Sequence, residues 1–549
     1  MIERPGGGRV STTESPVVII GAGPVGMTAA LLLARQGVRS TVLERRTTPS
    51  CGQSRAVTVQ RDVLSLLDRL GVAAEIMRDG ASWSLGRTYF RERELLQLRF
   101  PTSEGELYPP FVNFPQFRTE ELLHAQAQAC GLVRFRHGRT VTSVDDDGDE
   151  VAVHADGPDG PEIHRAPYAI AADGIGSRVR GGLGIAYSGW QTEGRFLVCD
   201  FAADLPFSRE RRLWFDPPFH PGRIVLMHSF GPDRWRVDWQ IEPDADENDY
   251  LARLDDMLRG VIGEHETRIL RANTYTFQQR CAERFSQGRV FLAGDAAHVV
   301  SPFGARGMNS GIEDADNLAW KLAFVLAGRA DAALLDTYDL ERRAAAEHHV
   351  EVTGATMRFM TPASAEGVTR RDAVLAAAAT DPARHSDVDS GRLYEPFPYV
   401  GSPLTVPGDG AGTLVPDGPT GTTTLRAHLA GDFSLLAVPG HGASAREVAR
   451  RLASATAIIA SRRLTLVRPE GPVPDTTGTT TLHDRTGTLT GWLPDHTDHL
   501  LIVRPDCYVA ACVPLPRSAA ETAAIVTRTL ATALSPSLPA PSAADQMPV

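Results

Sequence analysis

Residues 17–20, Val-Val-Ile-Ile, run directly into Gly21-Ala-Gly23-Pro24-Val25-Gly26. An apolar run followed at once by GxGxxG predicts a buried strand that enters a helix through a tight turn. The helix is expected over 27–35 with Gly37 just past its end, and a second strand over 40–43 ends in Glu44. This βαβ opening constrains the chain more than any other feature, because its strands belong in a parallel sheet covered on both faces. The glycines let the backbone approach a pyrophosphate. The helix N-terminus offers unpaired N–H groups and a positive charge of roughly half a unit. Glu44 is placed to accept hydrogen bonds from a ribose.

Further along, apolar positions at helical spacing predict a helix over 55–70, and DDDGD at 145–149 predicts a hairpin turn between strands at 140–144 and 150–154. From about 196 to 242 the period changes to two, in segments such as RRLWFD, RIVLMHSF and RWRVDWQIE. A separate antiparallel sheet is the expectation. A buried strand at 289–293 leads to a helix over 309–327, capped by Gly328. A Pro/Gly/Thr-rich stretch near 396–424 marks a boundary. Beyond it we expect strands at 434–438 and 464–467, a helix at 445–455, a hairpin of 500–503 with 508–513, and a last helix at 519–534.

Three glycine-bearing segments carry the chemistry. GxGxxG serves FAD and NAD alike, so the others decide. Ala171-Ala-Asp173-Gly174 follows an apolar strand, and so does Gly294-Asp295-Ala-Ala-His298. An aspartate at a strand end can bind a ribityl hydroxyl while its glycine neighbour allows close approach. The second segment continues into Ser301-Pro302-Phe-Gly304-Ala305-Arg306-Gly307-Met308-Asn309, which sets a second helix N-terminus against a ligand.

GxGxxG, DG and GD with PxGxxGMN, in this order and spacing, resemble the FAD-dependent aromatic hydroxylases of the p-hydroxybenzoate hydroxylase family. Gln116 in FPQFRTEELL and the Tyr338-Asp-Leu-Glu341-Arg342 segment add to the match, which covers roughly 15–360. The branch it resembles most is that of the phenol and 3-(3-hydroxyphenyl)propionate hydroxylases, which carry a C-terminal thioredoxin-like domain. The resemblance implies an α/β fold: a Rossmann-like FAD-binding domain, an antiparallel-sheet substrate domain and that C-terminal α/β domain. The expected divisions are a disordered leader (1–15), an FAD-binding domain (16–190 and 281–395), a substrate sheet (191–280), the thioredoxin-like domain (396–535) and a flexible tail (536–549).

It also implies the roles of particular residues. Gly21, Gly23, Pro24, Val25 and Gly26 form the pyrophosphate loop, Glu44 meets the adenosine ribose, Arg45 lies near the adenosine and Arg55 contacts the pyrophosphate. Gln116 and Asp295, with Gly294, serve the ribityl chain. Asp173 and Gly174 serve FAD and the passing NAD(P)H. Pro302, Gly304, Ala305, Arg306, Gly307, Met308 and Asn309 face the flavin ring. His298 is expected to be structural. Many relatives read GGQG where this chain has Gly304-Ala305-Arg306-Gly307. Arg306 either stabilises negative charge on the reduced ring or faces solvent or a carboxylate.

On the period-two sheet, Arg236, Asp238 and Gln240 alternate with Trp235, Val237 and Trp239. With Trp214, His228 and Tyr275 they are the candidate substrate contacts, and His228 is the candidate for polarising a phenol. The C-terminal domain lacks CxxC: its place reads VPGHGASAREV, and Cys507 and Cys512 fall five apart on an expected strand, on opposite faces.

The implied reaction uses NAD(P)H and O₂, with an FAD C4a-hydroperoxide passing OH to an electron-rich phenolic or polyketide-like ring. A Baeyer–Villiger or epoxidising tailoring oxygenase of secondary metabolism carries the same flavin motifs and stays open. A flavin-binding protein without turnover is disfavoured by the intact motifs. A halogenase is disfavoured because the resemblance implies that those enzymes need an active-site lysine and WxWxIP. The sole lysine, Lys321, falls mid-helix, and RWRVDWQIEP is not that stretch.

Composition sets the class. At 549 residues, with 42% hydrophobic and 22% charged, the chain suits about three or four globular domains. A net charge of −11 argues against a general nucleic-acid binder. No apolar run reaches the roughly 18–20 residues of a membrane span, and the N-terminus lacks a signal-peptide core. Six scattered cysteines without CxxC suggest neither a disulfide framework nor a zinc site. A cytoplasmic protein with reduced thiols is expected, and the family resemblance adds a homodimer.

Overall fold

The computed structural model describes residues 9–11, 15–49, 56–102, 107–420, 423–440, 444–454, 462–467, 479–484, 487, 490–493 and 497–537. Val17–Ile20 lies in a six-stranded sheet, hydrogen-bonded in parallel to Ser40–Glu44 on one side and Tyr168–Ala171 on the other. Val290–Leu292 and Val133–His137 extend the sheet in parallel, and Ser286–Gln287 closes one edge antiparallel. All four residues of Val17–Ile20 are buried, as a central parallel strand requires. The helix Pro24–Arg35 begins earlier than the 27–35 expectation, because proline is tolerated in the first turn.

The segment expected as one helix over 55–70 is divided. Thr58–Gln60 is a strand paired with Phe111–Asn113, and the helix is Arg61–Arg69. The Gln60 side chain accepts from the Asp62 N–H at 2.7 Å, so the helix is capped there and Val59 lies outside it. The 145–149 turn joins Thr140–Asp146 to Val151–Gly157 as an antiparallel hairpin. Within the expected leader, Arg9–Ser11 pairs in parallel with Gly160–Ala166 as an edge strand. Residues 538–549 of the expected tail lie outside the described residues.

The period-two region forms an eight-stranded sheet in the order His298–Val299, Arg268–Ala282, Tyr187–Ala202, Arg234–Ile241, Ile224–Ser229, Arg211–Phe215, Leu85–Phe90, Arg93–Arg99. It exceeds the 191–280 expectation. Leu85–Phe90 pairs in parallel with Arg211–Phe215, and the 190/191 and 280/281 divisions fall inside two long continuous strands. One face packs Leu197, Val225, Val237 and Trp239 against helices Glu247–Ala252 and Leu254–Ile262. The other packs Phe196, Val198, Leu213 and Leu226 against Phe303, Met357 and Met360.

The C-terminal sheet has the order Thr480–His483, Arg462–Val467, Ser434–Val438, His499–Val503, Val509–Pro514. The first three strands are parallel and the last two antiparallel to their neighbours, with helices Ala445–Ser454 and Ala519–Leu534. Cys507 precedes the last strand, in a turn with φ +67°, and shares one buried cluster with Cys512. The opposite-face reading therefore does not hold. No helix among the described residues is long and apolar enough to cross a membrane.

This domain docks on Gly307–Leu326, whose Trp320 and Phe324 pack with Phe433 and Leu435. Beneath them lies a buried ionic knot. Glu341 accepts from Lys321 Nζ (2.7 Å), Asn317 (2.7 Å), Ser402 (2.6 Å) and Arg504 (2.5 and 2.9 Å). Burial pushes Glu341 up, but Arg504 and Lys321 outweigh it and hold the carboxyl far below its usual range. Removing one partner strands buried charge. Arg504→Met is therefore expected to lose about 3–5 kcal/mol in denaturant unfolding of the intact protein.

Candidate active site

The glycine loop is shaped by contact. A Cβ at Gly21 would stand 2.4 Å from the Ala172 carbonyl oxygen, and one at Gly26 would stand 2.1 Å from that of Gly21. Gly21 has φ +104°, and the two positions close the turn against the neighbouring DG segment. Gly23 differs: the direction of its missing side chain is open, with nothing within 4 Å. That opening is the side from which a phosphate can approach the N-terminus of Pro24–Arg35. Val25 points the other way, with its Cγ2 2.8 Å from where a Cβ on Gly294 would lie.

Glu44 is buried and accepts from the Ala22 N–H at 2.7 Å and from Arg46 at 2.9 and 3.0 Å. Burial pushes its carboxyl up, and these donors outweigh that and lower it. Arg46 also reaches Glu120 and the Ala22 carbonyl, each at 3.2 Å. Arg45, the residue expected near the adenosine, is exposed. Its neighbour Arg46 is the one that folds back to Glu44 and the glycine loop. Arg55 lies outside the described residues.

Asp173 Oδ2 accepts from the Arg178 N–H at 2.9 Å, while Oδ1 is buried without a partner. Burial raises this carboxyl's pKa. Gly174 beside it has φ +84° and an open side-chain direction. Asp295 lies in the 3₁₀ turn Gly294–Ala296, and its carbonyl accepts from the Tyr187 hydroxyl at 2.9 Å. Arg180 was not foreseen. Buried, it donates to the Ile175 carbonyl (2.9 Å) and the Ala296 carbonyl (2.8 Å), tying the DG loop to the GD turn. Its only sequence signal was a second arginine in GSRVR. Gln116 opens helix Gln116–Ala129, accepting from the Ala56 N–H at 3.1 Å and donating to Glu120 at 2.9 Å.

The loop after the GD turn runs through the 3₁₀ turn Pro302–Gly304 and Ala305, at φ +53°, into Gly307–Leu326. The first-turn N–H groups of Gly307, Met308 and Asn309 have no acceptor within the helix. The Asn309 side chain staples this loop to Thr58–Gln60, accepting from the Gln60 N–H at 3.1 Å and donating to the Thr58 carbonyl at 3.0 Å. Arg306 neither faces solvent nor pairs with a described carboxylate. It is buried and donates to His349 Nδ1 (2.7 Å) and the carbonyls of Arg392 (3.3 Å) and Leu393 (2.9 Å). Among the described residues no carboxylate lies within 4.0 Å of it. Burial, then Arg306 itself, holds His349 well below its usual range, so its ring is neutral and can accept.

On the sheet, the face that looks toward this loop carries Arg236, Asp238 and Gln240. Asp200 and Phe196 stand opposite Arg236 and Gln240 on one neighbouring strand, and His228 stands opposite Arg236 on the other. Phe303 of the loop meets Phe196 at 5.4 Å and Phe277 at 5.7 Å between ring centroids. Arg236 is bound by Asp200 through two bonds of 2.6 and 2.8 Å. Burial, Arg236 and Arg211 push His228 down to about 3, so its ring is neutral at neutral pH. Burial pushes the Asp238 carboxyl up to about 7, against the pull of Arg236. Tyr275 shares this face and receives a hydrogen bond from Arg271. Gln240 accepts from the Ile224 N–H at 3.3 Å. Trp214 is on the other face, stacked on Tyr89 at 5.3 Å, and does not join the group.

The open side of Gly23, the unpartnered Asp173 oxygen and the two helix N-termini together fit an extended dinucleotide. Residues 14–353 match the family described as FAD binding domain, and 428–529 match the HcaD C-terminal domain. The chain belongs to the FAD-dependent aromatic hydroxylase family. This hydroxylase is 32% identical over 525 residues to a 3-(3-hydroxy-phenyl)propionate/3-hydroxycinnamic acid hydroxylase of Mycobacterium sp. strain JLS, covering 91% of this chain and 90% of the relative. It is 34% identical over 372 residues to the 12-dehydrotetracycline 5-monooxygenase/anhydrotetracycline 6-monooxygenase of Streptomyces rimosus, covering 63% and 70%. The crystal structure of aklavinone-11 hydroxylase with FAD and aklavinone superposes with a TM-score of 0.71 at 26% identity, covering 95% of this chain and 99% of that one. The hydroxylase is an FAD-dependent monooxygenase of aromatic substrates, with NAD(P)H as donor and O₂ as oxidant.

The two glycines of the loop predict opposite failures. Gly23→Val leaves the fold intact and loses FAD, because its side chain enters the open side. Gly26→Val loses the fold itself, because the side chain meets backbone. Circular dichroism and the flavin content of the purified variants separate the two outcomes.

Proposed function

We propose that the front face of the eight-stranded sheet and the 302–309 loop form the pocket in which a phenolic ring is oxygenated. When bound, FAD would supply the redox chemistry: two electrons from NAD(P)H and one oxygen atom of O₂ for the ring, the other leaving as water. Gly21, Gly23 and Gly26 receive its pyrophosphate at the N-terminus of Pro24–Arg35, and Glu44 receives the adenosine ribose. Asp295 and Gln116 would serve the ribityl chain, Asp173 and Gly174 would serve FAD and the passing NAD(P)H, and the Met308 and Asn309 N–H groups would meet the ring edge. The positive charge of Arg306, uncancelled by any described carboxylate, favours the reduced ring's negative charge.

The observation that carries this reading is the meeting of Phe196, Phe277 and Phe303 beside half-buried Asp238. The rings form an apolar wall that excludes water, and Asp238 offers a proton acceptor matched to neutral pH. A phenol that loses its proton to Asp238 becomes a stronger nucleophile. The relatives named for hydroxyphenyl acids support a phenolic substrate. The strand order of the C-terminal sheet supports a thioredoxin-like domain that acts by docking, and the unpaired cysteines among the described residues support a cytoplasmic setting.

Under anaerobic conditions NAD(P)H is expected to bleach the bound flavin, faster with a phenolic ligand present. Labelled O₂ is expected to place one labelled oxygen on the ring. An ester or epoxide product would move the reading to the tailoring oxygenases. A second expectation concerns pH. A carboxyl raised to about 7 is ionised only above that pH, so kcat falls as pH drops through that value. Asp238→Asn removes this acid limb and lowers kcat by about a hundredfold. A pH–rate profile of both proteins, each with its full flavin content, checks it.

A further inference from the structure

The helix Asp336–Met360 turns a buried polar face toward the flavin side of the molecule. Tyr338, Arg342, His349 and Thr353 follow one another at helical intervals and so share that face. All four are buried. Three of them donate: Tyr338 to the Leu292 carbonyl, Arg342 to Asp314, and Thr353 to Gln279 Oε1 at 2.9 Å. His349 works in the other direction. Its Nδ1 accepts from Arg306 at 2.7 Å.

Arg306 folds back beneath its own loop. A Cβ on Gly304 would stand 3.0 Å from the Arg306 Nε and 2.7 Å from the Arg392 carbonyl oxygen, so the side chain fills the space under Gly304. The other described acceptors of its guanidinium are the Arg392 and Leu393 carbonyls. Neutral groups therefore hold a cation under the loop proposed to face the flavin. Burial lowers its pKa, but a guanidinium stays charged at neutral pH. Of its charged neighbours, Glu395 attracts it and Arg392 repels it, and both are exposed, where water screens them. Burial keeps Tyr394, beside it, a neutral phenol.

The state of the His349 ring follows from its partner. A guanidinium only donates, so Nδ1 is bare and the ring hydrogen is on Nε2. Burial, then Arg306 and Arg342, keep a second proton off. The Nε2 is buried without a partner, which is destabilising for a donor. A carboxylate in this place would bind the guanidinium more strongly and leave no orphaned N–H, but it would cancel the charge. Stability alone therefore does not account for an imidazole here. Holding a cation without neutralising it does.

We infer that His349 is the positioning residue of the flavin loop: a neutral acceptor that orients Arg306 and leaves its positive charge available to the reduced flavin ring. This inference rests on the role proposed for Arg306, and it adds the residue that holds it and the reason that residue is uncharged.

The test measures the midpoint potential of the bound flavin at fixed pH, by equilibration with a reference dye, in holoenzymes with full flavin content. Arg306→Gln is expected to lower the equilibrium constant for flavin reduction about tenfold, or about 30 mV for a two-electron couple. His349→Asn and His349→Asp share one shape, and each can place an oxygen where Nδ1 stands. The Asn variant keeps a neutral acceptor and is expected within about threefold of wild type. The Asp variant supplies a counter-ion, kept ionised by the guanidinium, and is expected to fall about as far as Arg306→Gln. His349→Leu frees the guanidinium and is expected below the Asn variant, but to add little to Arg306→Gln, because His349 acts through Arg306.

Equal potentials for the Asn and Asp variants overturn the inference, as does a His349→Leu effect undiminished in the Arg306→Gln background. If Arg306→Gln lowers the potential and the His349 variants do not, only the assignment of His349 fails. If Arg306→Gln matches wild type, the role proposed for Arg306 fails and takes His349 with it. Should the variants not retain FAD, nitrogen NMR of the wild-type protein decides, with the His349 signals assigned by their loss in His349→Asn. A bare Nδ1 with a protonated Nε2 is expected throughout about pH 6 to 8, and a doubly protonated ring in that range overturns the inference.

Discussion

One carboxylate holds the flavin-side architecture together. Asp314, wholly buried, accepts from the Gly294 N–H (2.9 Å), His298 Nε2 (2.7 Å) and Arg342 Nε (2.7 Å). Through them it joins the GD turn, the strand after it and the helix Asp336–Met360. Arg342 continues to the Ser310 carbonyl (2.9 Å) and the Tyr399 hydroxyl (2.7 Å). A buried charge is tolerated only when its donors are all in place. The turn that presents Asp295 and the helix that presents Met308 and Asn309 are therefore fixed relative to each other. The YDLER segment owes its match to this: Tyr338 bonds the Leu292 carbonyl at 2.6 Å, and Arg342 completes the carboxylate.

The helix Gly307–Leu326 is the shared wall of the molecule. Its sequence shows a one-sided apolar stripe, yet nearly every residue from Asn309 to Phe324 is buried. One side packs on the FAD-binding core and the other on the C-terminal domain. Of the polar residues on the second side, Trp320 is matched across the junction by Asp506 at 3.0 Å, and Asp316 is matched by Arg69 of the FAD-binding domain at 2.7 Å. Lys321 belongs to this set. Its ammonium is consumed by Glu341 on the domain junction, which removes it from ring chemistry on geometric grounds.

How much was legible depended on the range of the interaction. The glycine loop, the DG and GD turns and the ring-facing loop were readable because each is a strand end entering a turn, specified by adjacent residues. The alternation of Arg234–Ile241 was readable for the same reason. Leu85–Phe90 was missed as a member of the substrate sheet because its pairing partner lies more than a hundred residues away. Trp214 was grouped with the pocket on residue type, whereas its face is decided by register.

The sequence alone determined the Rossmann-like opening, the binding of a dinucleotide, the FAD-specific motifs and the absence of any lysine but Lys321. These follow from local backbone geometry and residue chemistry, which neighbouring residues set. Only the tertiary structure decided which charges are cancelled. It paired Arg236 with Asp200, lowered His228 and raised Asp238, and turned Arg46 rather than Arg45 onto the loop. Charge and acidity in a protein interior depend on what burial brings within a few ångströms, and those neighbours come from distant parts of the chain.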